Sequence, residues 1–174
     1  MSRPASRPPR VPVRAGGAGP MKEARVDEAL KPLLDSIRTP EHLRRLLDIE
    51  GVDDAFIAEF VESVGAGVVL DQVFDLMAAR YAPERAKGRH GVVQWNVRTP
   101  SGRPRHYQLA LAPHGAVARR GKAVRPKVTL TLAAPDLLRL CAGRLRVVPA
   151  LRDRSLRVSG NLLFGARLPR WFDY

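Results

Sequence analysis

The spacing of the apolar residues changes at Pro83, and this change limits the folds that are open to the chain. Before Pro83, apolar residues recur three or four positions apart, as they do along one face of an amphipathic helix. After Pro83, apolar and polar residues alternate, which is typical of strands that bury one face. The sequence therefore predicts a helical part followed by a mainly β part, with the two apolar faces packed together.

The helical part is predicted to contain four amphipathic helices. The first carries its apolar residues between positions 26 and 37. Thr39 is a suitable cap for the second, and Asp53 or Asp54 for the third, because short polar side chains accept hydrogen bonds from the free N–H groups of a first turn. A Gly-Ala-Gly turn at 65–67 precedes the fourth helix. All four helices need a partner surface for their apolar stripe.

The β part begins with a predicted hairpin, since two alternating segments flank a Pro-Ser-Gly turn at 100–102. A helix that opens at Ala134 and stops near Gly143 interrupts the later strands. A short helix or turn follows from about residue 147 to 154. Strands are expected at 93–98, 107–111, 116–119, 127–133 and 156–158.

Charge is distributed unevenly along the chain. The net charge is +13, made up of +4 in residues 1–20, −6 in residues 21–80 and +15 in residues 81–174. A basic part of this size attracts phosphates, carboxylates, anionic lipid head groups or the acidic segment of the same chain. The first twenty residues are rich in Arg, Pro and Gly and are predicted to be disordered. The change of composition at Met21 suggests that translation starts there.

Residues for catalysis or metal binding do not form a recognisable pattern. Cys141, the single cysteine, lies on a predicted apolar helix face, where a free thiol behaves as a small hydrophobic side chain. The four histidines, at 42, 90, 106 and 114, do not form a close pair on one helix face. The glycines fit neither a phosphate loop nor a dinucleotide fingerprint. We therefore expect no enzyme activity, no metal and no cofactor.

The order of elements from the fourth helix onward resembles the sterol carrier protein type 2 family, in its bacterial form. The resemblance is carried by a Thr/Leu strand at 128–132, an acidic helix start at 136–138, a helix end with Gly at 142–145, and a strand with a Ser-Gly stop followed by a Leu-rich tail at 156–162. It extends over roughly residues 68–172.

This resemblance implies an α+β fold, with a five-stranded, mainly antiparallel sheet covered on one face by helices. It also implies an apolar tunnel that holds a lipid, and no covalent chemistry. Three segments are expected: a disordered tail at 1–20, an acidic helical extension at 21–67, and the lipid-binding domain at 68–174. The extension has no counterpart in the family pattern, and it is expected to cover the sheet, to form a lid or to bind another protein.

Candidate binding residues follow from the resemblance, because residue type alone would place the same apolar residues in an ordinary core. The wall of the tunnel is assigned to Phe74, Met77, Trp95, Leu109, Leu130, Leu140, Leu151, Val158, Leu163 and Phe164. The densest basic run is either a solvated loop or a head-group site. Its members are Arg119, Arg120, Lys122 and Arg125. Trp171 and Phe172 would either touch a membrane or pack onto the first helix.

The leading hypothesis is a carrier that encloses a sterol-like, fatty acyl or other long apolar ligand, with transient contact to anionic membranes. One alternative is an accessory protein that recruits a biosynthetic enzyme through residues 21–67. A nucleic-acid-binding module is supported by charge alone, since only 6% of the residues are aromatic. Because the sequence has one cysteine and no apolar run of about 20 residues, the protein is expected in the cytoplasm.

Overall fold

The computed structural model describes residue 32 and residues 37–173, and its centre is a five-stranded mixed sheet with helices packed on the apolar face. The helices are α1 (Pro40–Leu47), α2 (Asp54–Val64), α3 (Ala66–Ala79), α4 (Pro83–Ala86), α5 (Ala134–Cys141), α6 (Val147–Arg152) and α7 (Leu162–Arg167), followed by a 3-10 turn (Leu168–Trp171). The strands are β1 (Gly91–Arg98), β2 (Pro104–Ala112), β3 (Gly115–Arg120), β4 (Val128–Ala133) and β5 (Arg157–Gly160). The predicted α+β fold is confirmed.

The strand order in the sheet is β3-β2-β1-β4-β5. The pairs β1–β2, β2–β3 and β4–β5 are antiparallel, whereas β1 and β4 are parallel neighbours. Trp95 in the middle of β1 is in register with Tyr107 on β2 and with Leu130 on β4. All three residues therefore share the face toward the helices, because residues that are paired across a ladder point to the same side.

The helix starts follow the predicted capping chemistry. The Thr39 hydroxyl accepts a hydrogen bond from the His42 amide, and the Asp53 carboxylate accepts one from the Phe56 amide. Of the two candidates for the second cap, the structure therefore uses Asp53. These bonds satisfy N–H groups that a first turn leaves without an intrahelical partner.

The centre of the core is an aromatic group where α3 crosses the sheet. The buried ring of Phe74 stacks on Tyr107 with 4.4 Å between ring centroids, and it meets Trp95 edge-on at 5.7 Å. Such pairs add to the free energy gained by burying the rings. The same core also includes buried residues of α1 and α2, among them Leu43 and Phe60.

The acidic helices are tied to the basic part of the chain by ion pairs. Asp48 pairs with Arg144, Asp54 with Arg139, and Asp71 with Arg120. Each pair joins the acidic region 21–80 to the basic region 81–174, as the charge distribution suggested. Exposed pairs of this kind contribute little individually, so the apolar contacts between α1, α2 and α5 account for most of the stability of this docking.

Some sequence expectations differ from the structure or fall outside it. The tail at 1–20 and nearly all of the first predicted helix lie outside the described residues. The pattern did not predict α4, because it is a single turn. Trp171 and Phe172 are buried, and Phe172 bridges to Tyr81, so their assignment as a membrane-touching cap is corrected. Within the described part of the chain, no helix combines the length and the apolar character needed to cross a bilayer.

Candidate ligand cavity

A cavity of about 610 Å³ lies between the apolar face of the sheet and the helices that pack on it. This volume is in the range of small-molecule sites and is much larger than an ordinary packing defect. Its wall is formed mainly by aliphatic side chains from α3, α5, α6, α7 and the end of the chain. A cavity with such a lining favours an apolar ligand over water, because water would find few hydrogen-bond partners there.

The sheet forms one wall of the cavity at its β4–β5 side. Trp95 from β1, Leu130 from β4 and Val158 from β5 face the cavity, whereas the lining includes no residue of β2 or β3. Leu130 and Val158 are paired across the β4–β5 ladder and so point to the same side. The indole N–H of Trp95 is buried and meets no hydrogen-bond acceptor among the described residues.

Helix α3 forms the opposite wall with a single stripe of side chains. Val73, Leu76, Met77 and Arg80 line the cavity, and their spacing of three and four positions places them on one helix face. Phe74 lies on the neighbouring face and points into the aromatic core. The helix therefore divides its apolar residues between the packed core and the cavity wall.

The N-terminal region contributes a third part of the wall. Ile37, Thr39 and Leu43 all line the cavity, and Ile37 and Leu43 are buried. The Gln72 side-chain amide donates a hydrogen bond to the Ile37 carbonyl at 2.8 Å. This bond fixes the segment before α1 against α3.

Few polar residues line the cavity: Thr39, Arg80, Cys141 and Asp173. The Asp173 carboxylate is bound by Arg85 at 2.5 Å, and Arg80 is the cationic residue among those that line the cavity. The Asp173 amide also donates a hydrogen bond to the Arg80 carbonyl at 2.9 Å, which holds the end of the chain next to α3.

The Cys141 thiol faces the cavity from the last turn of α5. Burial raises the pKa of this thiol to about 12, because a thiolate is poorly stabilised away from water. The group is therefore a neutral, weakly polar part of the wall at physiological pH. The sequence had indicated a buried structural cysteine, and the structure gives the side chain a place on the cavity surface.

The ten residues that the resemblance assigned to the wall divide into two groups. Those that line the cavity are Met77, Trp95, Leu130, Leu140, Leu151 and Val158. The other four lie elsewhere. Phe74 and Leu109 are fully buried in the core, Phe164 packs edge-on against Trp171 with 5.0 Å between ring centroids, and Leu163 is exposed on α7 next to the wall residue Leu162.

The four basic residues assigned to a head group are not brought to the cavity. Arg119 and Arg120 lie on β3, at the sheet edge opposite β5, and Lys122 and Arg125 lie in the loop that leads from β3 to β4. Arg120 is engaged by the carboxylate of Asp71. The strand order separates β3 from the cavity, because it places two strands between β3 and the sheet wall of the cavity at β4.

Sequence reasoning missed several wall residues. They are Ile37, Thr39, Leu43, Val73, Leu76, Arg80, Cys141, Val147, Val148, Leu162 and Phe172, among others. A signal existed on α3, since Val73 and Arg80 are the helical neighbours of Met77, four positions before it and three after it. For the residues before α1 no local signal existed, because only the tertiary packing brings them to the cavity.

Fold and cavity together define a class of protein: an α+β domain in which one mixed sheet and its covering helices leave a large apolar space between them. Among the described residues, no group of three or more His, Cys, Asp or Glu side chains could hold a metal ion. Any ligand of this cavity is therefore held mainly by apolar contacts.

The chain belongs to the SCP-2 sterol transfer family, whose family model matches residues 70–173. This family binds and transfers lipids and other apolar ligands. The match begins within α3 and includes every strand of the sheet. No curated protein matches the sequence at a significant level.

Several solved structures are similar to this chain. Palmitated SCP2L2 from Aedes aegypti, solved in solution, is 26% identical over 56% of this chain and 87% of its own, with a TM-score of 0.48. The crystal structure of Sterol Carrier Protein 2 Like 2 from Aedes aegypti is 23% identical over 60% and 93%, with a TM-score of 0.49. The sec-alkylsulfatase Pisa1 from Pseudomonas sp. is 16% identical over 90% of this chain and 31% of its own, with a TM-score of 0.52.

Proposed function

We propose that the protein is a non-catalytic carrier that encloses one long apolar chain in the cavity of about 610 Å³. The observation that carries this proposal is the lining itself, which is aliphatic on the sheet side, the α3 side and the α5–α7 side. Membership of a sterol transfer family supports it.

The driving force for binding is the burial of apolar surface. Each buried methylene contributes about 0.8 kcal/mol, so a chain of about ten carbons gains on the order of 8 kcal/mol before the entropy cost of association. Tight binding therefore needs few polar contacts, and the protein accepts ligands of several lengths. A preformed cavity also lowers the conformational entropy cost of binding, because the surrounding core already holds the wall residues in place.

The polar end of the ligand is placed at Arg80 rather than at the basic run on β3 and the loop after it. Arg80 lines the cavity, whereas Arg119, Arg120, Lys122 and Arg125 do not. A guanidinium group at the wall favours a carboxylate or phosphate over a hydroxyl, because charge-assisted hydrogen bonds are about twice as strong as neutral ones. The preferred ligand is accordingly an anionic amphiphile with a long apolar tail.

The test is displacement of a fluorescent fatty acid from the delipidated protein, with Cys141→Trp as the blocking variant. The indole at position 141 would project into the cavity and take up part of its volume, so we expect probe binding to fall at least tenfold, roughly 1.4 kcal/mol or more. Cys141→Ser is the matched control, since it removes the thiol and leaves the cavity open.

Two results would argue against the carrier function. One is a wild-type protein that takes up neither fluorescent fatty acids nor fluorescent sterols. The other is a folded Cys141→Trp variant with unchanged affinity, which would place the bound probe outside the cavity.

A further inference from the structure

Several apolar side chains at the cavity are exposed to solvent. Val148 and Leu151 on α6 and Leu162 on α7 line the cavity, and they are 68%, 44% and 62% exposed. Leu163, the next residue on α7, is 73% exposed. We call these four residues the apolar rim. Side chains that belong both to the cavity wall and to the protein surface mark the place where the cavity opens.

The chain segments that carry the apolar rim are rich in arginine. Residues 144–170 contain seven arginines and a single acidic residue, Asp153. Four of these arginines are exposed and adjacent in sequence to wall residues of α6, α7 and the 3-10 turn: Arg146, Arg152, Arg167 and Arg170. We call them the rim arginines. None of the four forms an ion pair within residues 37–173.

Helix geometry places rim arginines beside aliphatic residues of the rim. Arg152 follows Val148 by four positions on α6, and Arg167 follows Leu163 by four positions on α7. Residues at this spacing are neighbours on a helix surface. Each short helix thus presents an aliphatic side chain and a guanidinium group side by side.

We propose that this mouth is a docking surface for an anionic lipid bilayer. The apolar rim enters the head-group region, and the rim arginines bind lipid phosphates or carboxylates. The proposal rests on the proposed carrier function, since an apolar ligand that leaves through this opening needs an apolar environment to enter.

The chemistry of the surface favours a membrane over a nucleic acid. Exposed aliphatic residues gain free energy at a bilayer interface, and each Arg near an anionic surface adds to that gain. Binding to single-stranded nucleic acid relies instead on exposed aromatic rings for stacking, and the aromatic residues near the mouth, Phe164, Trp171 and Phe172, are buried. The surface of the described residues therefore combines the two features of an interfacial site.

The experiment measures binding of the full chain to sedimented vesicles of phosphatidylcholine with and without phosphatidylglycerol. We expect binding to the mixed vesicles and little binding to pure phosphatidylcholine. The double variant Arg152→Gln/Arg167→Gln should weaken binding to the mixed vesicles by roughly thirty-fold. The matched control Arg119→Gln/Arg125→Gln removes the same charge from β3 and from the loop between β3 and β4, and should keep most of the affinity.

A second pair of variants tests the apolar contribution. Leu163→Ser removes a rim side chain that does not line the cavity, and Val117→Ser removes an aliphatic side chain of similar exposure, 52%, on β3. Only Leu163→Ser should weaken vesicle binding. Thermal unfolding of all four variants checks that they remain folded.

Three outcomes would overturn the docking proposal: equal binding to neutral and anionic vesicles, equal losses in the two arginine double variants, or no loss in either rim variant. Equal losses would indicate attraction by overall charge alone, as for a nucleic-acid binder. Uptake of a fluorescent fatty acid in vesicle-free solution is measured in parallel. Because no residue changed in these variants lines the cavity, that uptake tests the carrier function separately from docking.

Discussion

In the proposed carrier, Arg80 is the wall residue expected to have the most direct influence on ligand choice. It ends the α3 stripe of wall residues, and its backbone is held by the Asp173 amide. A guanidinium group in this position distinguishes ligands by the charge of their polar end. A wall made of apolar residues alone would not distinguish ligands by charge.

Arg80→Gln is expected to lower the affinity for a long-chain fatty acid by roughly three- to tenfold. The affinity for the alcohol of the same chain length should change little, because a hydroxyl does not depend on the positive charge. Arg45→Gln, an exposed position on α1 away from the cavity, serves as the control. Isothermal titration with the acid and the alcohol measures both affinities, and equal losses for the two ligands would remove Arg80 from the head-group site.

Asp71 is a second residue with a defined role, in stability rather than in binding. Its carboxylate accepts hydrogen bonds from Arg120 Nε and from the Tyr107 hydroxyl, both at 2.7 Å. The bond from Arg120 is the main reason why the pKa of Asp71 lies below its ordinary value. The group therefore fastens α3 to the edge of the sheet formed by β2 and β3.

Asp71→Asn is expected to destabilise the protein by roughly 1 kcal/mol at neutral pH, since the pair is partly exposed and screened. Because the pKa of Asp71 is lower in the folded state, its charge stabilises the folded protein at a pH above about 4. This stabilisation is lost as the pH falls through the folded-state pKa. Urea unfolding at pH 7 and pH 3 should show a difference from wild type that narrows at pH 3. Asp75→Asn, exposed on the same helix, is the control. An undiminished difference at pH 3 would mean that the charge is not responsible.

At the scale of elements, α1 serves as part of the cavity wall as well as part of the core. Thr39 caps this helix and lines the cavity, and Leu43 lines the cavity one turn later. Helix α2 is capped in the same way by Asp53 but does not contribute to the lining. The two caps therefore provide a matched comparison between stability and binding.

Thr39→Ala and Asp53→Ala should each cost about 1 kcal/mol of stability, the usual effect of removing a helix cap. Only Thr39→Ala should also weaken the binding of a fluorescent fatty acid, because fraying of α1 loosens the wall. Thr39→Ser keeps the capping hydroxyl and should restore both properties. Thermal unfolding and probe titration measure the two effects. Weaker binding in Asp53→Ala to the same extent would show that binding follows global stability instead.

The elements also show what the sequence could and could not reveal. The hairpin β1–β2 was predictable, because two alternating segments and the turn between them are local features. The parallel pairing of β1 with β4 was not, since alternation shows which residues share a face but not which strands are neighbours. The resemblance assigned Met77, Leu130, Phe74 and Leu109 to the wall alike. Only Met77 and Leu130 line the cavity, whereas Phe74 and Leu109 belong to the core. Side chains of the core and of a cavity wall have the same residue types, and only packing separates them.

At the scale of the whole molecule, the acidic segment and the family domain share one core. Leu43 and Phe60 are buried together with residues of the sheet, and Asp48 and Asp54 pair with arginines beyond α5 or within it. The domain boundary that the family resemblance placed at residue 67 therefore lies within continuous packing among the described residues. We infer that α1 and α2 fold together with the lipid-binding part, and that α1 helps to close its cavity.

The distribution of charge over the molecule fits the proposed function. Acidic residues of the helical region form ion pairs with some of the arginines. The rim arginines at α6, α7 and the 3-10 turn do not form such ion pairs among the described residues. Under the proposed function and docking, an anionic amphiphile would move between a bilayer and the cavity through the opening at the apolar rim, with its polar end at Arg80.

Native mass spectrometry of the gently purified protein shows whether the cavity holds a long apolar ligand. A carrier should show one lipid adduct per chain, which organic extraction removes and added fatty acid restores. The Cys141→Trp variant should carry much less of this adduct. Preparations that consistently show the bare mass, together with no uptake of added fatty acid or sterol, would rule out the carrier function and indicate a fold retained for another kind of interaction.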